Sequence, residues 1–99
     1  MIIVAGSVPV NPEKLREVKQ GIAKVCEATR KEAGCISYDF SQDAADPCLI
    51  RIFERWETGS ALDLHLKQPH TVEFLTALGG WAAGPPDVKR YVIEKVQGL

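Results

Sequence analysis

Glu54, Trp56 and His65 are the side chains whose types and spacing could do chemistry. They fall in one stretch, Glu54 to His70, where an apolar strand pattern gives way to a short helical one carrying the histidine. A carboxylate flanked by Ile52 and Trp56 on an inward strand face is costly to bury unless paired, because desolvation raises its pKa and favours the neutral acid. His65, on the inward side of the following helix, is the partner within reach. A Glu54–His65 hydrogen bond would orient the imidazole and raise its basicity, making His65 a general base at the floor of a pocket. The same pair would also serve as a polar latch tying helix to strand, and the residues alone leave both readings open.

His70 follows Pro69 at the start of a further helix. It is expected at the surface or against the helix terminus, with substrate binding as its alternative role. The two histidines stand five residues apart across a proline break with no third ligand in view, so no metal is expected. Trp56, Phe74, Trp81, Tyr38 and Phe40 are core or lining residues, and an aromatic lining suits a flat, apolar ligand. No GxGxxG follows a strand, no phosphate-binding loop is present, and no Cys-His or Ser-His pair has nucleophile context. Any enzyme here is expected to work without a tightly held nucleotide, flavin or metal.

Ninety-nine residues are enough for one core and one domain, 1–99. Twelve basic residues interspersed among thirteen acidic ones give a net charge of -1, without the clustered Lys and Arg that a nucleic-acid backbone requires. The apolar N-terminus lacks a basic leader, and no run approaches the roughly eighteen apolar residues of a membrane span, so a cytoplasmic address is expected. Cys26, Cys35 and Cys48 are odd in number and have no CxxC spacing, which points to reduced, buried thiols.

The elements that must position these residues can be read in order. Ile2 to Val10 is rich in β-branched residues and reads as a first strand with apolar residues on both faces. Asn11-Pro12 opens a long helix whose stripe is Leu15, Val18, Ile22, Val25, Cys26 and Thr29, with Gly34 as its left-handed C-terminal cap. Gly21 within it costs about 1 kcal/mol against alanine, a cost that close packing would explain. Cys35 to Ser41 and Leu49 to Trp56 read as a hairpin, with Ile36, Tyr38 and Phe40 on one face and Ile50, Ile52, Glu54 and Trp56 likewise sharing one. Thr58 or Ser60 caps a short helix to about Lys67, and Pro69 breaks it and starts another with Val72, Leu75 and Leu78 on its stripe. Residues 79–86, rich in glycine and proline, read as an irregular loop before a last strand, Val88 to Val96. The order βαββαβ with a split second helix is α+β and ferredoxin-like: one antiparallel four-stranded sheet with helices on one face. The bare face, carrying Leu49 and Phe53, predicts a homodimer packed sheet to sheet.

Glu54-x-Trp56, Ala61-Leu62-x-x-His65, Pro69-His70, Phe74 and Gly84-Pro85 before the last strand together resemble the antibiotic biosynthesis monooxygenase (ABM) family, over the whole chain. The resemblance implies a dimeric α+β barrel and, in its quinol-monooxygenase-like members, cofactor-independent oxidation of small quinols and anthrones by O2. Carried over, His65 would be base or orienter, Glu54 its partner, and Trp56, Phe74 and Trp81 the lining. Haem-degrading members have an asparagine near the end of the first strand where this chain has Gly6-Ser7, which speaks against haem. Autoinducer-2-degrading isomerases share the look of His65-x-x-x-Pro69-His70 and of a basic last strand. A phosphorylated-ketone isomerase, with Lys67, Lys89 and Arg90 as candidate phosphate ligands, is therefore the rival reading. A non-catalytic dimeric binding module is the third.

Overall fold

A computed structural model describes residues 1–99. Its elements are β1 (Ile2–Pro9), α1 (Leu15–Thr29), β2 (Cys35–Gln42), β3 (Leu49–Trp56), α2 (Gly59–His65), α3 (Pro69–Trp81) and β4 (Asp87–Val92). The strands form one antiparallel sheet in the order β2-β3-β1-β4, the ferredoxin-like arrangement expected from the element order.

The register sorts the side chains. One cross-sheet row, Tyr38, Glu54, Val4 and Arg90, faces the helices, and the next, Asp39, Phe53, Ala5 and Lys89, faces away. On β3, Ile50, Ile52, Glu54 and Trp56 are buried while Arg51, Phe53 and Arg55 are exposed, the alternation of a strand covered on one side. Val18, Val25, Cys26 and Thr29 of α1 are buried along the expected stripe. A 3-10 turn, Pro12–Lys14, precedes α1, and the Asn11 side chain donates to Ala82 O at 3.4 Å instead of capping the helix.

Several boundaries differ from the sequence reading. The glycine-rich segment does not begin as a loop: α3 runs through Gly79 and Gly80 to Trp81. Packing against α1 sustains that last turn. A Cβ at Gly21 would lie 2.7 Å from Trp81 Cη2, so the glycine gives room to the indole. The buried residues of α3 are Thr71 and Phe74, because the helix starts at Pro69 in a phase that points 71 and 74 inward; Val72 is turned outward and Leu75 is half-exposed at the edge of the inward side. Ile36 does not share the face of Tyr38. An irregularity in pairing between Cys35 and Ser37 leaves it exposed. The last strand stops at Val92.

Gly34 adopts φ 83°, the left-handed conformation expected of it, but it stands five residues beyond the end of α1. A Cβ there would lie 2.5 Å from the Ala61 Cβ of α2. The turn 31–34 is thus pressed onto α2, a contact only glycine permits at this backbone angle. No helix is long and apolar enough to cross a membrane.

Candidate active site

Between α3 and the helix-facing side of the sheet lies a cavity of about 310 Å³. Its sixteen lining residues include four with polar side-chain atoms, Tyr38, Glu54, His65 and Thr71, and none with a cationic one. The remainder is aliphatic or aromatic, Phe40, Phe74, Leu75 and Leu78 among it. This is the low end of the size range of small-molecule pockets, about 300–1,000 Å³, with the usual few polar groups in an apolar wall.

His65 is the last residue of α2, which is capped by Thr58 Oγ1 accepting from Ala61 N at 3.1 Å. The imidazole is 2% exposed and is wedged between the Trp56 indole, centroid distance 4.7 Å, and the Tyr38 ring, 5.1 Å. The hydrogen bond expected between Glu54 and His65 does not form. His65 Nδ1 instead faces Glu32 Oε2 at 2.8 Å, and the same oxygen lies 2.7 Å from His70 Nε2. A carboxylate oxygen only accepts, so each of these nitrogens carries its hydrogen toward Glu32. Neutral His65 therefore holds its proton on Nδ1, with Thr71 Oγ1 3.2 Å away, and keeps the Nε2 lone pair for the other side. Nε2 has no protein partner and is not sealed off: Thr29 Oγ1 is the one side-chain N or O that is both buried and unpartnered. A bare imidazole nitrogen thus looks into the cavity, oriented from behind by a carboxylate. Burial holds the His65 pKa below its ordinary value, against the raising effect of Glu32, which favours the neutral base.

Glu54, in the middle of β3, is bound differently. Trp56 Nε1 donates to its Oε1 at 2.9 Å, and Oε2 is left to the cavity. Burial pushes its pKa up to about 7, with the Trp56 bond pulling down and the Glu32 charge pushing up. A proton donor or acceptor poised near neutrality therefore shares the cavity with the histidine. Burial also raises the Tyr38 hydroxyl, which stays protonated.

Of the residues singled out in the sequence, Glu54, His65, Tyr38 and Phe74 line the cavity together. Trp56 does not line it. Its indole is wholly buried, holding Glu54 and backing His65. Trp81 lies on the far side of Phe74 and, with His70, borders a separate shallow groove against α1. Glu32 was not singled out in the sequence. A signal was present: a carboxylate just past a helix C-terminus opposes the helix dipole and needs another reason to be there. Glu32 is also the third donor absent from the sequence view of metal binding, since its Oε2 and the two histidine nitrogens lie within 4.8 Å of one another. The turn that carries it is tied to β2 by Arg30, which donates to Tyr38 O at 2.9 and 3.2 Å.

The model of the antibiotic biosynthesis monooxygenase family matches residues 1–77. The chain belongs to this family. An uncharacterized protein of Synechocystis, sll1783, is 36% identical over 99% of this chain, which spans 67% of that relative's length. A structure from Deinococcus radiodurans, provisionally named an antibiotic biosynthesis monooxygenase, superposes with a TM-score of 0.92 at 25% identity and covers 100% of this chain and 98% of its own. A conserved protein from Methanosarcina mazei Go1 gives 0.87 at 29% identity, covering 91% and 89%. Glu54, His65 and Phe74 of the motif that resembles the ABM family reach the cavity wall, whereas its Trp56 and His70 do not.

Proposed function

We propose that this ABM-family chain is a monooxygenase that oxidises a small electron-rich aromatic, a quinol or an anthrone, with O2 and without a bound cofactor. The observation that carries this reading is the unprotonated His65 Nε2 turned into an apolar cavity and fixed there by Glu32. His65 takes the proton from the hydroxyl or the activated carbon of the substrate. The anion left behind is electron-rich enough to pass one electron to O2, and the resulting radical pair joins through a new carbon–oxygen bond. Glu54 returns a proton to the peroxide so formed. In the anthrone case the O–O bond then breaks, the second hydrogen leaves the carbon, and the products are a carbonyl and water. The apolar wall keeps bulk water from the anion.

A phosphorylated ketone fits less well. The cavity has no cationic side chain. Lys89 is held by Asp87 at 2.8 Å and Arg90 by Asp63 at 3.0 Å, and Lys67 lies outside the lining. The negative charge that Glu54 acquires above pH 7 would repel a phosphate. For the same family scaffold we take the working unit to be a homodimer joined through the outer sheet faces.

The test is O2 consumption by chelator-treated protein with a panel of hydroquinones and anthrones. His65→Gln is expected to lower the rate by about 100-fold or more, the usual loss when a positioned base is removed. Uptake that persists in His65→Gln overturns the assigned base. Tight binding of these aromatics with no uptake by the parent overturns the enzyme reading in favour of a binding module.

A further inference from the structure

We propose that Glu32, His65 and His70 form a binding site for one divalent transition-metal ion of the zinc class, and that the ion resets His65 from behind the cavity. The donor atoms Glu32 Oε2, His65 Nδ1 and His70 Nε2 all lie within 4.8 Å of one another. They come from three elements: the turn after α1, the last residue of α2 and the second residue of α3. Pro69 brings the last two together by ending one helix and starting the next, so that the imidazole centroids stand 6.2 Å apart. Two imidazoles and a carboxylate are the donor set of zinc, copper, nickel or ferrous iron, and a poor match to magnesium or calcium, which take oxygen ligands.

The cluster is closed on one flank and open on the other. His65 is buried, whereas the His70 side chain is 25% exposed and borders the groove between α1 and α3, which leaves a path for the ion and a place for water. Ligands about 2.0–2.2 Å from zinc stand roughly 3.3 Å from one another. The Glu32 contacts of 2.7 and 2.8 Å must therefore widen by about half an ångström while the two histidine nitrogens, at the 4.8 Å spread of the cluster, draw together by about 1.5 Å. His70, at the exposed rim, is the ring with room to move.

Binding changes where hydrogens sit. Without metal, His65 carries its hydrogen on Nδ1, toward Glu32. To ligate through Nδ1 it shifts that hydrogen to Nε2, and neutral His70 makes the opposite shift, so neither imidazole loses a proton. The cavity then meets an N–H donor where it had a lone pair. The ion would thus inhibit the base-dependent reaction. This last consequence rests on the reading of His65 as base; the site itself does not.

Calorimetric titration of the metal-free chain with Zn²⁺, followed by dialysis and metal analysis, is expected to give one ion per chain. His70→Ala and Glu32→Gln, each checked for folding by circular dichroism, are expected to weaken it by more than about tenfold, the minimum loss when a group supporting a metal is removed. Cys35→Ser is expected to change nothing, although Cys35 is near enough for the Glu32 charge to raise its thiol pKa, after the larger effect of burial. Long-range proton–nitrogen correlation spectra of the unaltered chain are expected to show the His65 hydrogen moving from Nδ1 to Nε2 as Zn²⁺ is added. Binding that survives both substitutions, is lost in Cys35→Ser, or is absent up to millimolar Zn²⁺ overturns the site. Binding that leaves the hydrogen on Nδ1 overturns the coupling. No substrate is present in these experiments, so failure of the monooxygenase reading leaves their outcome intact.

Discussion

Glu54 costs the fold stability. Its pKa of about 7 lies above the 4.5 of an ordinary glutamate, so the folded state binds the proton more tightly than the unfolded chain does. The stabilisation is complete below about pH 4.5 and is lost as pH rises through about 7, amounting to at most about 3 kcal/mol. Glu54→Gln, which keeps the shape and an acceptor for the Trp56 N–H, is expected to be more stable than the parent at pH 8 by up to that amount. The gap should close near pH 4, as read by urea unfolding at both values. Equal stability at pH 8 would mean that the carboxylate is well solvated in the folded chain. A group kept at such a cost is a candidate for function, and this much could be read from the sequence, where a carboxylate between Ile52 and Trp56 already stood out. Its bonding could not. The local pattern places His65 beside Glu54, but the partner of His65 is 33 residues away and is brought in by a turn that Gly34 shapes.

At the scale of elements, β3 and α1 were the most legible because each has one buried and one exposed side, and burial follows the 2.0 or 3.6 residue period. Leu49–Trp56 matches its expected range, and the apolar stripe of α1 is the one observed. The end of α3 was not legible. Gly79 and Gly80 have poor helix propensity, and what holds them helical is a contact with another element, Trp81 seated over Gly21. That contact joins α1 to α3 and so holds one wall of the cavity. Gly21→Val would drive side-chain atoms into the indole, and is expected to destabilise the chain by about 1–3 kcal/mol and to alter Trp81 fluorescence. An unchanged melting temperature and emission spectrum would show that the two helices can separate at no cost.

The whole molecule measures 40 × 33 × 20 Å, and its thin dimension is one sheet plus one layer of helices. The outer side of the sheet therefore has nothing over it. Phe53 and Tyr91 are 44% and 47% exposed there, with Ile3 and Leu49 on the same side and Arg51 and Arg55 beside them. An apolar centre with charged neighbours is the composition of an interface between copies. Phe53→Glu sets a carboxylate against its own copy across the proposed two-fold axis. It is expected to convert a dimer into a monomer in size-exclusion chromatography with light scattering, without loss of the helical circular dichroism signal. A parent chain that is already monomeric would sink the sheet-to-sheet dimer.

The cavity also sorts molecules by the direction of their hydrogen bonds. His65 Nε2 and, once ionised, Glu54 Oε2 both accept, while the hydroxyls of Tyr38 and Thr71 stand in the same wall. On the proposed reading, a phenol or quinol would enter with hydroxyls that give hydrogens to both acceptors. On that reading oxidation would turn those oxygens into carbonyls, which have no hydrogen left to give to either acceptor. The two acceptors that would admit such a substrate would thus hold its oxidised product less tightly, leaving Tyr38 and Thr71 as the donors it could still meet.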